Sequence, residues 1–453
     1  MLPFPLFFGM IQQMRALKQG NFIKWFYFGM HIKRWLLLLL VGVAVMGLGF
    51  SYLLREAYVS YTFPSQAYYI TLQFLPRWLR GVMFIGGSVG IILLAIWKLN
   101  SSLLSAFVRP GRDESLVNIL YNYRYLNRGP KIVAVGGGTG LSALLRGLKE
   151  YTGNLTAVVT VADDGGSSGR LRRELGILPP GDVRNCIAAL ADAEPLMTRL
   201  FQYRFSDGSG LEGHSFGNLF IVAMSGVTGN FEEAVRETSR VLAVRGQILP
   251  STLANVTLCA HTEDEETIHG ESNITDSPSR IRDVYLQPTN VEANPDAIRA
   301  ILNADLIVVG PGSLFTSVMP NLLVDGVRQA IQASPALKVY VCNVATQHGE
   351  TDAFTVGDHY GALERHVGSH LFHYVLANNN VRGRLPETTH SQPVLVDKTS
   401  VGAARVITTD VVSEDNRYHH DPKKLADALI HLYYERHQLE EMVAEAAPEG
   451  VTA

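Results

Sequence analysis

Cysteine is scarce in this chain: Cys186, Cys259 and Cys342 are the only three among 453 residues, far apart and with no Cys-x-x-Cys pair. That excludes a disulfide framework and a clustered zinc site, and it suits a reducing cytosol. No Gly-x-Ser-x-Gly elbow, His-Glu-x-x-His helix or metal-spaced His/Cys cluster is present, so common hydrolase signatures are missing. Charged residues make up 18% against the ~25% typical of soluble domains, while 47% are apolar, a balance that excludes general disorder. Acidic residues are nearly absent from the start. Residues 1–128 hold 13 basic and 3 acidic side chains, a balance of +10, whereas residues 129–453 hold 26 and 39, a balance of −13. Tryptophan is missing after Trp97. The two parts therefore face different surroundings, and the acidic larger part excludes a nucleic-acid binder, which needs a basic face.

The basic part contains two uncharged runs, 35–54 (WLLLLLVGVAVMGLGFSYLL) and 81–97 (GVMFIGGSVGIILLAIW). Twenty residues at 1.5 Å each reach about 30 Å, the thickness of a hydrocarbon core. Trp35, Trp78 and Trp97 fall at the run ends, where interfacial rings belong. The expectation is a two-helix transmembrane hairpin in a bacterial-type cell membrane. Residues 1–34 form a cytoplasmic or interfacial segment, 55–80 a short external loop, and 98–129 a cytoplasmic linker. Basic residues flank the outer ends of both runs (Lys33, Arg34, Lys98, Arg109, Arg112), so both termini and the large domain are expected on the cytoplasmic side. The lipid bilayer is thus an expected partner.

From residue 130 to 436, Val/Ile-rich runs alternate with helical patterns, the signature of a mostly parallel sheet with helices on both faces. Residues 437–453 read as a flexible tail. KIVAV leads into GGGTG, LTAVVTVA into DDGGSSGR, ADLIVV into GPGS, and LKVYVC into NVATQHGET. In such sheets ligands bind past the carboxyl ends of the strands, and every one of these polar segments falls there.

Gly137, Gly138, Thr139 and Gly140 open a helix without side chains to hold a ligand off the backbone, which suits a phosphate. The segment fits G-x-G-x-x-A, with Asp163 at dinucleotide-like spacing, and no Gly-Lys-Ser/Thr follows, so it is not a Walker A loop. Asp163 and Asp164 lead into a glycine-serine loop with Ser167, Ser168 and Arg170; either acid suits a ribose hydroxyl, a magnesium ion or an acceptor hydroxyl. After the Pro179-Pro180-Gly181 turn, Arg184 and Asn185 suit phosphate contact, and an Asp182–Arg184 ion pair is the alternative. His214 and Asn218 sit at the start of an apolar helix, and Gly310, Gly312 and Ser313 form a second candidate phosphate cradle. Asn343, Thr346, Gln347 and Glu350 suit a base or sugar. His419-His420-Asp421 reads as a helix cap at Asp421 with solvated histidines, and Cys186 and Cys342 as small buried residues.

Taken in order, GGGTGLSALLRGLK, TVADDGGSSGRLRRELGILPPGDVRNC, LFQYRF, GHSFGN, VLAVRGQILPST, ADLIVVGPGSLFTSVMPNLL and YVCNVATQHGET resemble the gluconeogenesis factor (YvcK-like) family of the 2-phospho-L-lactate transferase (CofD) superfamily. The likeness runs from about Pro130 to Tyr434 and leaves the hairpin outside it. It implies a Rossmann-like sheet carrying a nucleotide site. It also implies binding of a UDP-sugar such as UDP-N-acetylglucosamine, with roles in carbon partitioning, cell-wall precursor supply and cell shape. Carried onto this chain, the resemblance implies phosphate contacts at Gly137, Gly138, Thr139 and Gly140. It further implies polar or magnesium-linked roles at Asp163 and Asp164, and ligand contacts around Asn185, Asn218, Gly312 and Ser313. The sequence departs from the family where an Arg usually precedes His-Asp, since His419 stands there, and where a ligand-linked Tyr has His390 as its nearest counterpart.

Three functions compete. The first is a membrane-anchored regulatory module that binds a UDP-sugar and acts through an unidentified cytoplasmic protein, with homo-oligomerisation open. The second is a magnesium-dependent phospholactyl transferase using a guanosine diphosphate donor and a deazaflavin acceptor, with Asp163 and Asp164 catalytic. The third is an NAD-dependent oxidoreductase, resting on the short fingerprint and opposed by the second glycine loop after Asp163. No cofactor is certain from the sequence beyond possible magnesium.

Overall fold

The computed structural model of the chain describes residues 32–60, 66, 69, 72, 74–107, 126–192, 195–207, 210–382 and 390–446. The chain divides into two compact units, Met1–Arg124 and Tyr125–Ala453.

The first unit contains helices Ile32–Ser60 and Arg77–Phe107, both longer than the apolar runs that suggested them. Among the described residues, no helix is long and apolar enough to cross a membrane. The expected transmembrane hairpin is corrected accordingly. The first helix carries Lys33 and Arg34 at one end and Arg55 and Glu56 before the other, so charged residues bracket its uncharged run within the same helix. The second run spans about 26 Å, short of the ~30 Å core. It is also interrupted by Gly81, Gly86, Gly87, Ser88 and Gly90.

The second unit is built on eight strands in the order β10-β11-β9-β8-β7-β1-β2-β3. Their ranges are β1 Ile132–Gly136, β2 Leu155–Val159, β3 Gln247–Pro250, β7 Leu306–Val309, β8 Leu337–Val341, β9 Tyr374–Asn378, β10 Ser400–Val401 and β11 Ala404–Thr409. All pair in parallel except β10 with β11. This is the expected mostly parallel α/β architecture. Strands β1 and β7 are buried along their whole length, as parallel strands covered on both faces must be. Chain order reverses about β1: β2 and β3 extend one way and β7, β8 and β9 the other, so β1/β7 is the topological switch point.

A second sheet was not anticipated. Strands β4 (Thr257–Thr262), β5 (Thr267–His269) and β6 (Ile281–Gln287) form an antiparallel sheet in the order β5-β4-β6. It leads into a short helix, Glu271–Thr275, that matters for the site.

Two further differences bear on function. The stretch expected as a second glycine loop becomes helix at Gly166 and runs to Leu175, so Ser167, Ser168 and Arg170 lie in its first turns. The objection raised against a dinucleotide fold, that no helix starts there, therefore falls. At the other end, the last helix is Pro422–Ala446, longer than a domain ending at residue 436. Its start is capped by Asp421, which accepts from the Lys423 and Lys424 amides at 2.9 and 2.8 Å. His419 is exposed, but His420 is buried, contrary to the expected solvated pair.

This last helix packs on Gly138–Leu148 with no room to spare, since a Cβ at Gly147 would run into the Pro422 carbonyl. Gly147→Val should destabilise the second unit by about 2–3 kcal/mol through overpacking. Urea unfolding of the variant against the parent checks this, and an unchanged midpoint would contradict the packing.

Candidate functional site

Two glycine segments meet at the switch point. Strand β1 ends at Gly136, and the Gly138–Leu148 helix starts with Gly138 at φ +64°, a conformation that glycine adopts without strain. Strand β7 ends at Val309 and passes into Gly310–Ser313. The segments lie against each other: a Cβ at Gly140 would sit 2.5 Å from the Pro311 carbonyl oxygen, and one at Gly312 would sit 3.3 Å from that of Gly137. The two expected cradles are thus one composite structure. The first amides of a helix lack intrahelical partners and attract anions, which leaves the Thr139 and Gly140 N–H groups as donors at the mouth of the crevice. The Gly138 N–H is engaged by Asp182.

The Gly310–Ser313 half is held from behind by residues after β8. Asn343 accepts from the Gly312 N–H at 3.1 Å and donates to its carbonyl at 2.8 Å. The Ser313 hydroxyl donates to Gln347 Oε1 at 2.6 Å, and Gln347 Nε2 donates to Glu350 Oε1 at 3.0 Å. Glu350 also accepts from the Thr316 hydroxyl and the Phe315 amide, while burial pushes its carboxyl up to about 7. Thr346 goes elsewhere: its N–H donates to the Gln392 carbonyl and its hydroxyl accepts from the Gln392 amide at 2.9 Å. Asn343, Gln347 and Glu350 therefore shape the crevice, and Thr346 ties down the segment after residue 390.

Asp163 and Asp164 point to different tasks. Asp163 accepts from the Gly165 N–H at 2.8 Å and pairs with Ser168; burial raises its carboxyl above the usual range. Asp164 Oδ1 accepts both the amide and the hydroxyl of Ser272, each at 2.9 Å. That pair of hydrogen bonds docks the Glu271–Thr275 helix, which follows β5, onto the Asp163 segment. Glu271 is thereby placed among carboxylates, and its Oε2 is buried with no partner. Desolvation, reinforced by Asp163 and Asp182, pushes Glu271 up to about 10. Burial and then the neighbouring Asp163 push Asp182 up to about 7.

Ser167 and the apolar helix Phe216–Thr228 meet through side chains. Asn218 Nδ2 donates to the Ser167 hydroxyl at 3.1 Å, and Ser167 lies 3.0 Å from His214 Nδ1. A hydroxyl carries one proton and two lone pairs, so Ser167 accepts from Asn218 and still has capacity for either a donated or an accepted bond with His214 Nδ1. Burial and then Arg170 lower the His214 pKa, consistent with a neutral ring. Arg170 itself donates to the Glu212 carbonyl at 2.6 Å. Arg184 donates to Asn185 Oδ1 at 2.8 Å, while the Asp182–Arg184 ion pair offered as the alternative survives as an electrostatic influence of each charge on the other without a direct contact.

Sequence reasoning missed Glu271, Ser272 and Asn321. Asn321 donates to the Gly136 and Ser317 carbonyls at 3.0 and 2.9 Å beneath the composite loop. None of the three sits in a glycine-rich segment, and only the fold brings them to the crevice. Among the described residues, no group of three or more His, Cys, Asp or Glu side chains is placed to hold a metal ion. Of the two expected magnesium ligands, Asp164 is engaged by Ser272 through Oδ1 and Asp163 by Gly165 through its own Oδ1.

Comparison with known proteins gives a consistent result. The family described as 2-phospho-L-lactate transferase CofD matches residues 132–413. The gluconeogenesis factor of Bacillus subtilis is 48% identical over 313 residues, covering 68% of this chain and 99% of that protein. A Nostoc relative given the same name provisionally is 46% identical over 427 residues, 91% of this chain and 93% of its own, so this likeness extends into the first unit. A crystal structure of a UPF0052 family member from Bacillus halodurans, 45% identical, superposes with a TM-score of 0.62 and covers 66% of this chain and 99% of that one.

The raised Asp182 carboxyl has a thermodynamic consequence. A carboxyl whose folded pKa exceeds its unfolded value takes up a proton on folding, so stability falls as pH rises from about 4 to about 7 and is lowest above that window. Asp182→Asn should remove its share of this slope, an advantage of at most a few kcal/mol at pH 8 that vanishes near pH 4. Denaturation of both proteins at pH 4, 6 and 8 without divalent cations measures it; parallel stability curves would contradict the assignment.

Proposed function

The chain belongs to the gluconeogenesis factor family within the CofD superfamily, and we propose that its second unit binds a UDP-sugar, such as UDP-N-acetylglucosamine, and regulates carbon partitioning, cell-wall precursor supply and cell shape. One observation carries this reading. The site brings together two unlike sets of groups, the helix-start amides of Thr139 and Gly140 and, beside that glycine loop, the carboxyl of Asp182 with those of Asp163 and Glu271 acting on it or near it. A diphosphate suits the donors, and the hydroxyls of a sugar suit the acceptors. The three cysteines are buried, and desolvation raises all three thiols, so none is prepared as a nucleophile.

The transferase reading is favoured by the same acidic groups. Burial raises both Asp163 and Asp182, and a neighbouring carboxylate adds to each, Asp164 to Asp163 and Asp163 to Asp182. Magnesium commonly takes one or two carboxylates and completes its shell with phosphate oxygens and water. Asp163 with Asp182, in place of Asp164, would hold it, and the ion would neutralise charge on the diphosphate. Attachment of the first unit to a bilayer, with the second unit on the cytoplasmic side, is proposed from the basic flanks and the exposed Val45, Met46, Leu48 and Phe50.

Thermal shift of the full chain with UDP-N-acetylglucosamine, GDP, NAD and magnesium separates these readings. A saturating UDP-sugar at a hundredfold excess over Kd should stabilise by about 2.7 kcal/mol. Gly140→Val, which drives a side chain into Pro311, should weaken binding at least tenfold. Selective stabilisation by GDP with product formation on a deazaflavin, abolished by Asp163→Asn, would replace the regulatory reading. In cell fractionation the chain should sediment with membranes through a high-salt wash.

A further inference from the structure

Strands β4, β5 and β6 give the small sheet two unlike faces. Leu258, Ala260, Val284 and Leu286 are buried in the core, so the residues alternating with them belong to the opposite, outer face. In register, Cys259 of the central strand β4 lies opposite His269 of β5 and Tyr285 of β6. Gln287 is two residues on from Tyr285 and shares its face. The outer face of such a sheet normally carries solvated polar groups. Here its centre is a cysteine that is 0% exposed, in contact with side chains from both neighbouring strands. Tyr285 is itself held in place, stacked on His261 at 4.9 Å, and His261 pairs with Asp283 at 2.7 Å.

The contacts around this sulfur present more lone pairs than a thiol can serve. Cys259 Sγ lies 3.2 Å from His269 Nδ1, 3.7 Å from Gln287 Oε1 and 3.9 Å from the Thr257 carbonyl, and it accepts from the Tyr285 hydroxyl. Gln287 Oε1 and the Thr257 carbonyl only accept, so one thiol proton serves at most one of them, whichever nitrogen of His269 is protonated. A cation meets the surplus, and the spacing is that of ligands around one ion. With Zn–S about 2.3 Å and Zn–N or Zn–O about 2.1 Å, tetrahedral angles put sulfur roughly 3.6 Å from either partner. The observed 3.2 and 3.7 Å lie within a few tenths of that separation. Sulfur, imidazole and a neutral amide oxygen suit zinc, whereas magnesium takes oxygen ligands. The sequence excludes a zinc site built on clustered cysteines, but these donors come from three strands, 10 and 28 residues away from Cys259.

We propose that Cys259, His269 and Gln287 hold a zinc ion on the outer face of the small sheet, with water as the fourth ligand. Burial keeps Cys259 a thiol without the ion; coordination favours the thiolate, so binding releases its proton to solvent. His269 and Gln287 are exposed, which gives the ion a path from solvent. His269 ends β5, and the Glu271–Thr275 helix starts two residues on, so the ion fixes the strand that carries Glu271 and Ser272 to the crevice. The inference does not depend on which ligand the crevice takes.

Cobalt(II) reports such a site, because tetrahedral thiolate coordination gives a charge-transfer band in the near ultraviolet and strong visible bands. The full chain, stripped with EDTA, should take up one equivalent of cobalt with both signals, and one equivalent of zinc should bleach them. Cys259→Ser should lose the near-ultraviolet band. His269→Ala, which alters an exposed side chain, should weaken zinc on the order of tenfold or more, with melting in EDTA unchanged. A chain that shows no thiolate band with cobalt overturns the proposal. So does a band that survives in Cys259→Ser, since the ion then sits on another thiol. Should Cys259→Ser fail to fold, His269→Ala decides alone, and zinc affinity equal to the parent's overturns the assignment.

Discussion

The near-contact of two glycine segments across β1 and β7 is the constraint on which the rest of the site depends. A side chain at Gly140 would strike the Pro311 carbonyl, and one at Gly137 would lie 2.5 Å from Asp182 Oδ2. With both absent, three chain segments converge on a space bounded mostly by backbone. Asn321 and Asn343 then hold that backbone in place, one bonding the Gly136 carbonyl and the other both polar groups of Gly312. The amide side chains act as surrogate peptide groups, closing hydrogen bonds that irregular backbone at a sheet edge leaves open.

Convergence has an electrostatic cost. Asp163, Asp182 and Glu271 come together with Arg172 acting on Asp163 and Arg184 on Asp182, yet each carboxyl is driven toward its neutral form. Burial is the largest cause in every case, and mutual repulsion adds to it. Asp164 adds to the repulsion felt by Asp163 and Glu271, yet its two hydrogen bonds from Ser272 attach the small sheet and carry Glu271 inward. A domain with a formal balance of −13 can still favour a diphosphate here, because the helix-start amides are local donors and their field falls off within a turn. Net charge describes the surface and says little about a crevice lined by backbone.

The parallel sheet was readable because each strand is a short Val/Ile-rich run ending in glycine or a polar residue, as in ADLIVV before GPGS. The smaller sheet was not. TLCAHT, TIH and IRDVYLQ mix polar and apolar residues, and no turn motif marks them. Gly166–Leu175 was misread because glycine and serine are poor helix formers. Tertiary contacts override that weakness, among them Arg172 reaching the Ala162, Asp163 and Val256 carbonyls. Thr346 looked like a ligand group from its neighbours, yet its pairing partner Gln392 lies 46 residues away. The spans of the first unit illustrate a different limit: hydropathy over a run does not fix how far a helix stays apolar, and charges at Arg55 and Glu56 enter the same helix.

The helix Phe216–Thr228 connects two properties that the sequence offered separately. Its first turn touches the crevice through Asn218 and Ser167, and its later turns carry the uncharged outer face. Thirteen residues make a rod of about 20 Å, capped at its start by Ser215 accepting from the Asn218 amide at 3.2 Å. A rod does not absorb displacement as a loop does, so the Asn218–Ser167 hydrogen bond holds the crevice side of the helix in fixed register with its later turns. Coupling needs an element with two arrangements that both ends can bias. The Phe216–Thr228 helix is a rigid link of this kind in outline, since its start shares the Ser167 network with the crevice while its later turns face outward without charge.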